Sequence, residues 1–282
     1  MKKSDYIRLS LLYELSTTPK PGCVDRNHEH IDTSFNDFIT SAISVSRVFE
    51  ENKTSKLGSI ISLSAKGMAR SHEGGNTHFG AVLLLSPLYK ASESLNEITP
   101  DSLRKTASSL IERSDVEDAA NFYRALDYVE VGGLEEKDVK ELDATSDLAI
   151  KEVTEKNITF KELMEKSKQR DTIAKELING FEKTYEGFKF LKEKDLNNEN
   201  LVKTFISLLK YPDTHVAKVH GKDQSKKLSE RAKQIIENDY SIKQIKKLDK
   251  RLNEKGISPG TTADLLSSVI YLKLLYDNNE FK

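Results

Sequence analysis

Two short segments concentrate the side chains that can bind an anion or move a proton. The first, T-P-K-P-G-C-V-D-R at 18–26, carries Lys20, Asp25 and Arg26 beside two prolines. Proline fixes its own backbone and restricts the residue before it, so the chain around the lysine is extended and stiff. A side chain on a stiff backbone loses less entropy when it binds an anion. We interpret the segment as one side of a phosphate site, with an ordinary helix connection as the alternative.

The second segment, S-H-E-G-G-N-T-H-F-G at 71–80, places Gly74 and Gly75 before a helix start that Asn76 or Thr77 can cap. Free backbone N–H groups at a helix start, together with the helix dipole, favour phosphate. His78 adds a group that titrates near neutral pH. No G-K-[ST] follows the glycines, so this is not a Walker loop. A glycine turn with a helix cap is the alternative interpretation.

The remaining candidates are carboxylates, which can hold magnesium on a nucleotide or simply cap helices. Magnesium bound to phosphate usually takes one or two protein carboxylates, and an acid at a helix start complements the helix dipole. Both roles are open for Asp115, Glu117, Asp118, Asp143, Asp147, Asp171, Asp213 and Asp264. Zinc is not favoured, because the six histidines and one cysteine include no H-E-x-x-H pattern.

The composition limits the class of protein and its partners. The 282 residues include 44 basic and 45 acidic side chains, so the net charge is −1 and gives no electrostatic reason to expect nucleic acid or an anionic membrane. With Cys23 as the single cysteine no internal disulfide can form, and no signal-peptide pattern follows the first lysines. We expect a cytoplasmic protein with small-molecule substrates, and a homodimer as a candidate assembly.

Helical periodicity dominates the chain, and no strand pattern is convincing. Ser4, Thr99 and the Thr159/Glu162 capping box are predicted helix starts, and Gly256 is a predicted helix stop. Apolar spacing predicts helices at 4–17, 34–51, 56–71, 77–92, 115–129, 159–192, 198–210, 223–237, 241–254 and 261–277, and a loop over 130–145. Residues 77–92 are apolar nearly all round. The sequence thus predicts an all-α, single-domain multi-helix bundle over 1–282 with a central buried helix.

Three segments in a fixed order carry a family resemblance. They are 18–26, 74–80 and S-P-G-T-T-A-D-L-L at 258–266. Together they resemble the triphosphoribosyl-dephospho-CoA synthase family, and the runs at 118–126, 170–182 and 211–217 are similar to an archaeal-type branch of it. The resemblance implies an all-helical transferase. It would join C1 of the ATP ribose to a hydroxyl of dephospho-CoA, or of a related cofactor precursor, and release adenine.

This resemblance suggests roles for the candidate residues. Breaking an N-glycosidic bond requires stabilisation of an oxocarbenium-like ribose and a base for the acceptor hydroxyl. We expect Mg²⁺ to accompany ATP, with Asp25, Asp115 and Asp118 as candidate ligands. Catalytic candidates are Asp25, His78 and Asp213. Candidates for binding the triphosphate are Lys20, Arg26, Gly74, Gly75, Asn76 and Thr77.

Two departures from the bacterial pattern leave the acceptor open. Phe79 stands where bacterial members commonly have a basic residue, and 65–68 lacks the glutamate of an E-x-x-M pattern. Two other classes of function therefore remain as alternatives. One is a metal-dependent nucleotide phosphohydrolase, and the other is a non-catalytic nucleotide-binding helical protein.

Overall fold

The fold is all-α, as the sequence predicts. A computed structural model describes residues 1–129, 147–278 and 280–281. The predicted loop at Gly132-Gly133 and the acid Asp143 lie outside these ranges. Within them no sheet forms, and Ile98 and Phe281 make an isolated bridge. The described helices are α1 (Lys3–Ser16), α2 (Phe35–Glu51), α3 (Leu57–Ser71), α4 (Phe79–Ser94), α5 (Pro100–Glu112), α6 (Val116–Leu126), α7 (Asp147–Glu155), α8 (Phe160–Ser167), α9 (Thr172–Asn179), α10 (Glu182–Leu191), α11 (Asn198–Leu209), α12 (Thr214–His220), α13 (Lys222–Glu237), α14 (Ile242–Asn253) and α15 (Gly260–Asp277).

Two helices, rather than one, run through the middle of the core. The predicted buried helix is α4, in which every residue from Ala81 to Tyr89 is buried. The second is α15, which is buried from Leu265 to Leu275 and packs against α1, α4, α10 and α11. Both are apolar on nearly all faces, which is the pattern expected of helices with no side facing water. Their N-terminal ends are therefore held rigidly.

Local start signals predict most helix boundaries correctly. Thr99 caps α5 by accepting a hydrogen bond from the Ser102 amide at 3.0 Å, and Thr159 forms the predicted capping box with Glu162. The prediction for Ser4 is wrong, because α1 begins at Lys3 and Ser4 is buried inside the helix.

The segment predicted as helical over 159–192 contains three helices. The connection between α8 and α9 ends at Asp171, which caps α9 by accepting a hydrogen bond from the Ala174 amide at 3.0 Å. Gly180 and Phe181, with φ of +74° and +62°, separate α9 from α10. The apolar faces of the three helices point to one core, so their periodicity continues across the breaks. The short helices α7 and α12 were not predicted.

Helices α3 and α6 approach each other closely at a glycine. A Cβ on Gly58 would lie 2.6 Å from the Cα of Asp118 and 2.7 Å from its carbonyl oxygen. Both atoms belong to the backbone, so neither can rotate away. The close contact brings the Gly58 amide to within 2.7 Å of the Asp118 carboxylate, which accepts its hydrogen bond.

Gly58→Ala is expected to lower the free energy of unfolding by about 1–3 kcal/mol, since the helices must separate to admit the methyl group. Gly67→Ala, in the same helix, is the matched control. Its Cβ would lie 2.7 Å from the Ser44 hydroxyl, which can rotate, and at an ordinary contact distance of 3.5 Å from a Val48 methyl group. We therefore expect a change within about 1 kcal/mol. Urea denaturation measures both. Equal stability of the two variants would contradict the assigned contact.

Candidate functional site

The loop at 18–26 is shaped by the carboxylate of Asp25. One of its oxygens accepts hydrogen bonds from the amides of Asn27 at 2.8 Å and His28 at 3.1 Å. The other accepts from the Lys20 amide at 3.1 Å. Asp25 is 1% exposed, and three donors occupy most of what a carboxylate can accept. Its position therefore holds the loop around Lys20.

Lys20 forms a buried ion pair with Glu14, at the end of α1. Its Nζ contacts the Glu14 carboxylate and donates to the Glu14 carbonyl oxygen at 3.0 Å. Both side chains are at most 3% exposed. Burial raises the pKa of Glu14, and the neighbouring Lys20 opposes that shift. Since an ammonium group has three donors, one N–H of Lys20 is left for a ligand.

The glycine loop packs closely against the start of α2. A Cβ on Gly74 would lie 2.7 Å from the Asp37 carboxylate, and the Thr33 hydroxyl donates to the Gly74 carbonyl at 2.9 Å. Gly75 is exposed and has φ of +63°. The prediction that Asn76 or Thr77 is the N-cap of α4 is wrong, because that position is His78, which makes no side-chain cap hydrogen bond. Asn76 still binds the helix start, since its side-chain oxygen accepts from the Phe79 amide at 3.0 Å. The loop thus presents Gly75 and Asn76 to solvent, just before α4 begins.

The side chains of Thr77 and His78 point inward and form a relay with Ser41. The Thr77 hydroxyl donates to Ser41 Oγ at 2.7 Å, and Ser41 Oγ lies 2.8 Å from His78 Nδ1. If Ser41 donates its own hydrogen to Nδ1, His78 Nε2 carries the ring proton. That atom is buried and has no hydrogen-bond partner among the described residues. His78 therefore offers an unused donor inside the protein.

His78 is neutral at physiological pH. Burial lowers its pKa to about 3, helped by the nearby positive charge of Lys20. The imidazole can donate or accept a hydrogen bond, but it does not bring a positive charge to the site.

Asp213 joins the starts of two helices. It caps α12 by accepting from the Val216 amide at 3.0 Å, and it accepts from both the amide and the hydroxyl of Thr262, at 2.8 and 2.7 Å. Burial raises its pKa. Asp213 thereby fixes the first turn of α15 beside the two loops.

The first turn of α15 also supplies Asp264. An ideal Cβ on Gly80 would lie 2.1 Å from a carboxylate oxygen of Asp264, so this side chain lies directly on the start of α4. The Ala81 amide donates to it. Burial raises the pKa of Asp264, and the negative charges of Glu14, Asp213 and Asp171 raise it further. We call Glu14, Asp213 and Asp264 the acidic cluster.

Sequence reasoning did not single out Glu14, and it left Asp264 as either a cap-region acid or a site residue. A buried glutamate on an otherwise apolar helix face was the available signal for Glu14. Cys23 is also buried beside Lys20. Burial raises the pKa of its thiol, which disfavours a nucleophilic thiolate.

The structure does not bring Asp115 or Asp118 to the two loops. Asp115 caps α6 and pairs with Lys56 at 2.7 Å, and Asp118 bonds to Gly58 at the start of α3. The 15 residues of α3 separate this end from the glycine loop by about 20 Å. Among the described residues, no group of three or more potential ligands is arranged to hold a metal ion.

Arg26 is exposed to solvent, whereas Phe79 is buried beneath the glycine loop. Arg26 is exposed at the outer side of its loop. Phe79 is 4% exposed and stacks on Phe122, with ring centroids 6.2 Å apart. Its side chain therefore forms part of the wall below the glycine loop.

The buried neutral state of His78 predicts a pH dependence of stability. Its pKa is about 3 in the folded chain and about 6.5 when unfolded. The contribution of His78 to the free energy of unfolding is therefore complete above pH 6.5. It decreases as the pH falls towards 3, because the unfolded chain binds the proton before the folded chain does. Between pH 7 and 4, wild type should lose roughly 2–3 kcal/mol more unfolding free energy than His78→Gln. Parallel stability curves from urea denaturation at each pH would contradict this.

Comparison with known proteins gives a consistent result. The sequence profile of the family described as CitG, ATP:dephospho-CoA triphosphoribosyl transferase, matches residues 2–282. A Streptococcus mutans protein assigned as a 2-(5''-triphosphoribosyl)-3'-dephosphocoenzyme-A synthase is 26% identical over 94% of this chain and 93% of its own.

A solved structure shares the fold as well. The Archaeoglobus fulgidus protein assigned as a triphosphoribosyl-dephospho-CoA synthase superposes with a TM-score of 0.71 and 28% identity, over 86% of this chain and 98% of its own. None of the described helices is long and apolar enough to cross a membrane. With a match along nearly its whole length and the motif segments gathered at one site, the chain belongs to the ATP:dephospho-CoA triphosphoribosyl transferase family.

Proposed function

We propose that this protein transfers the triphosphoribosyl group of ATP to a hydroxyl of dephospho-CoA and releases adenine. One observation carries the proposal. Glu14 binds Lys20 of the first motif segment, Asp264 of the third segment packs against Gly80 of the second, and the charges of Glu14, Asp213 and Asp264 act on one another. Departure of adenine leaves positive charge on C1 of the ribose. Preorganised carboxylates stabilise such a charge in a site that excludes water.

The distribution of charge supports a triphosphate on the exposed side of the glycine loop. The carboxylates of the acidic cluster repel phosphate, whereas exposed backbone amides of a glycine loop attract it. Gly75 and Asn76 are exposed in this loop, and we infer that Lys20 donates its remaining N–H to the triphosphate. Arg26, exposed on the neighbouring loop, is proposed to bind the outer phosphates. The buried N–H of His78 is proposed to donate to a phosphate oxygen or to adenine.

Magnesium is proposed to enter on the triphosphate, as part of the MgATP substrate. The chain's own residues do not form a resident magnesium site around Asp25, whose carboxylate already accepts three amide hydrogen bonds. Asp25 instead holds the loop that receives the nucleotide. Asp213 similarly orients the start of α15 rather than the substrate.

Adenine release tests the proposal directly. The protein is incubated with ATP, Mg²⁺ and dephospho-CoA, and adenine is followed by chromatography while the product is identified by mass. We expect adenine only when an acceptor is present. A panel of other hydroxyl-bearing cofactors then tests the acceptor. Release of phosphate without an acceptor would favour a phosphohydrolase, and ATP binding without adenine release for every acceptor would favour a non-catalytic protein.

Lys20→Ala and Asp25→Asn are each expected to lower turnover by at least about 10²-fold, because both disturb the loop that holds the transition state. In Asp25→Asn, the amide group can no longer accept from all three backbone donors. Asp5→Asn is the control, since Asp5 also accepts a backbone hydrogen bond, from Lys2 at 3.0 Å, but at the opposite end of α1. Near-normal turnover of folded Lys20→Ala and Asp25→Asn would contradict these roles.

A further inference from the structure

Gly80, the last residue of the glycine loop, is a glycine because a carboxylate occupies the space of its side chain. A Cβ there would lie 2.1 Å from one oxygen of Asp264 and 2.6 Å from the carboxyl carbon. Gly80 lies within α4, so helical conformation alone does not require glycine. The second and third motif segments are therefore complementary, because the second has no side chain at Gly80 where the third places the carboxylate of Asp264.

Asp264 differs from the other members of the acidic cluster in its partners. Glu14 is paired with Lys20, and Asp213 accepts hydrogen bonds from two amides and one hydroxyl. Asp171, which also faces Asp264, is paired with Lys218 at 2.7 Å. Among the described residues, the Ala81 amide is the hydrogen-bond donor to Asp264. A carboxylate has about four acceptor positions, so most of its capacity is unused.

Asp264 is also the most exposed member of the acidic cluster. Glu14 and Asp213 are each 2% exposed, whereas Asp264 is partly exposed. The buried, unpartnered Nε2 of His78 lies on the same helix start, two residues before Gly80. The N-cap residue of α4 therefore carries an unused donor, and an acid with unused acceptor positions packs against the first turn of the same helix.

We propose that Asp264 is the general base that accepts the proton of the acceptor hydroxyl. The proposal rests on the proposed function. As the O–H bond breaks, its proton moves to the Asp264 carboxylate and the oxygen bonds to C1 of the ATP ribose. The bond from C1 to adenine breaks, and adenine leaves with the electron pair and takes a proton from water. Asp264 returns its proton to solvent when the product leaves.

The surroundings of Asp264 make its carboxylate more basic than that of an ordinary aspartate. Burial and the charges of Glu14, Asp213 and Asp171 all raise its pKa, while the Ala81 amide opposes the shift. Of the cationic groups nearby, Lys20 is bound to Glu14 and Lys218 to Asp171. His78 is neutral, and burial also lowers the pKa of His215, beside Asp213. A raised pKa makes the carboxylate a stronger base for the proton of a hydroxyl.

Asp264→Asn separates this role from a structural one. The asparagine oxygen can still accept from the Ala81 amide and the side chain keeps its size, but it cannot take a proton. We expect kcat for adenine release to fall by about 10²–10⁴-fold, with the melting temperature and the KM for ATP close to wild type. The acid limb of the kcat–pH profile, present in wild type, should be absent from the residual activity.

Glu162→Gln is the matched control, because Glu162 also accepts a backbone amide, from Thr159 at 2.8 Å, outside the site. It should keep wild-type kcat. Normal kcat and an unchanged pH profile in Asp264→Asn would overturn the assignment of Asp264 while leaving the proposed function intact. A loss of stability and of ATP binding as large as the loss of kcat would also overturn it, because such a loss indicates a structural role. If wild type releases no adenine with any acceptor, both proposals fail.

Discussion

Lys20 and Glu14 share an ion pair from which water is almost completely excluded, and the site is built around it. Removing two charges from water costs several kcal/mol for each ion, and the attraction between them offsets that cost only if the geometry is well maintained. The loop at 18–26 therefore has to hold Lys20 in place. Asp25 does this from within the loop, and α1 does it from the other side by supplying Glu14 from its last turn.

Four helices begin around this ion pair. Their starts are linked: Thr172 of α9 donates to Thr214 of α12 at 3.2 Å, Thr214 lies 3.2 Å from Thr261 of α15, and Asp264 of α15 lies on α4. The positive ends of helix dipoles favour nearby carboxylates. This arrangement explains how Asp171, Asp213 and Asp264 share a small volume with few cations. It also gives the site two regions, an acidic interior and an exposed glycine loop at Gly75 and Asn76 whose backbone amides suit phosphate.

The positions at which the sequence departs from the bacterial pattern, Phe79 and 65–68, pack beneath the glycine loop. Phe79 does not project into the acidic interior but packs with Phe122, which in turn contacts Phe160 of α8 at 5.6 Å between ring centroids. At 65–68, Ala65 and Met68 are fully buried, and Met68 contacts the Thr77 hydroxyl. These positions support the glycine loop from below.

The sequence by itself determined the helical fold, most helix boundaries and the two loops with their likeness to a family. These features depend on neighbouring residues: caps such as Thr99 and Thr159, apolar spacing, and glycine or proline within a few positions. It could not show that Glu14 neutralises Lys20, or that Gly80 makes room for Asp264. Positions 80 and 264 are far apart in the chain, and their contact depends on how α4 and α15 pack. Only the tertiary structure decided which charges lose their water together, because desolvation depends on packing rather than on sequence neighbours.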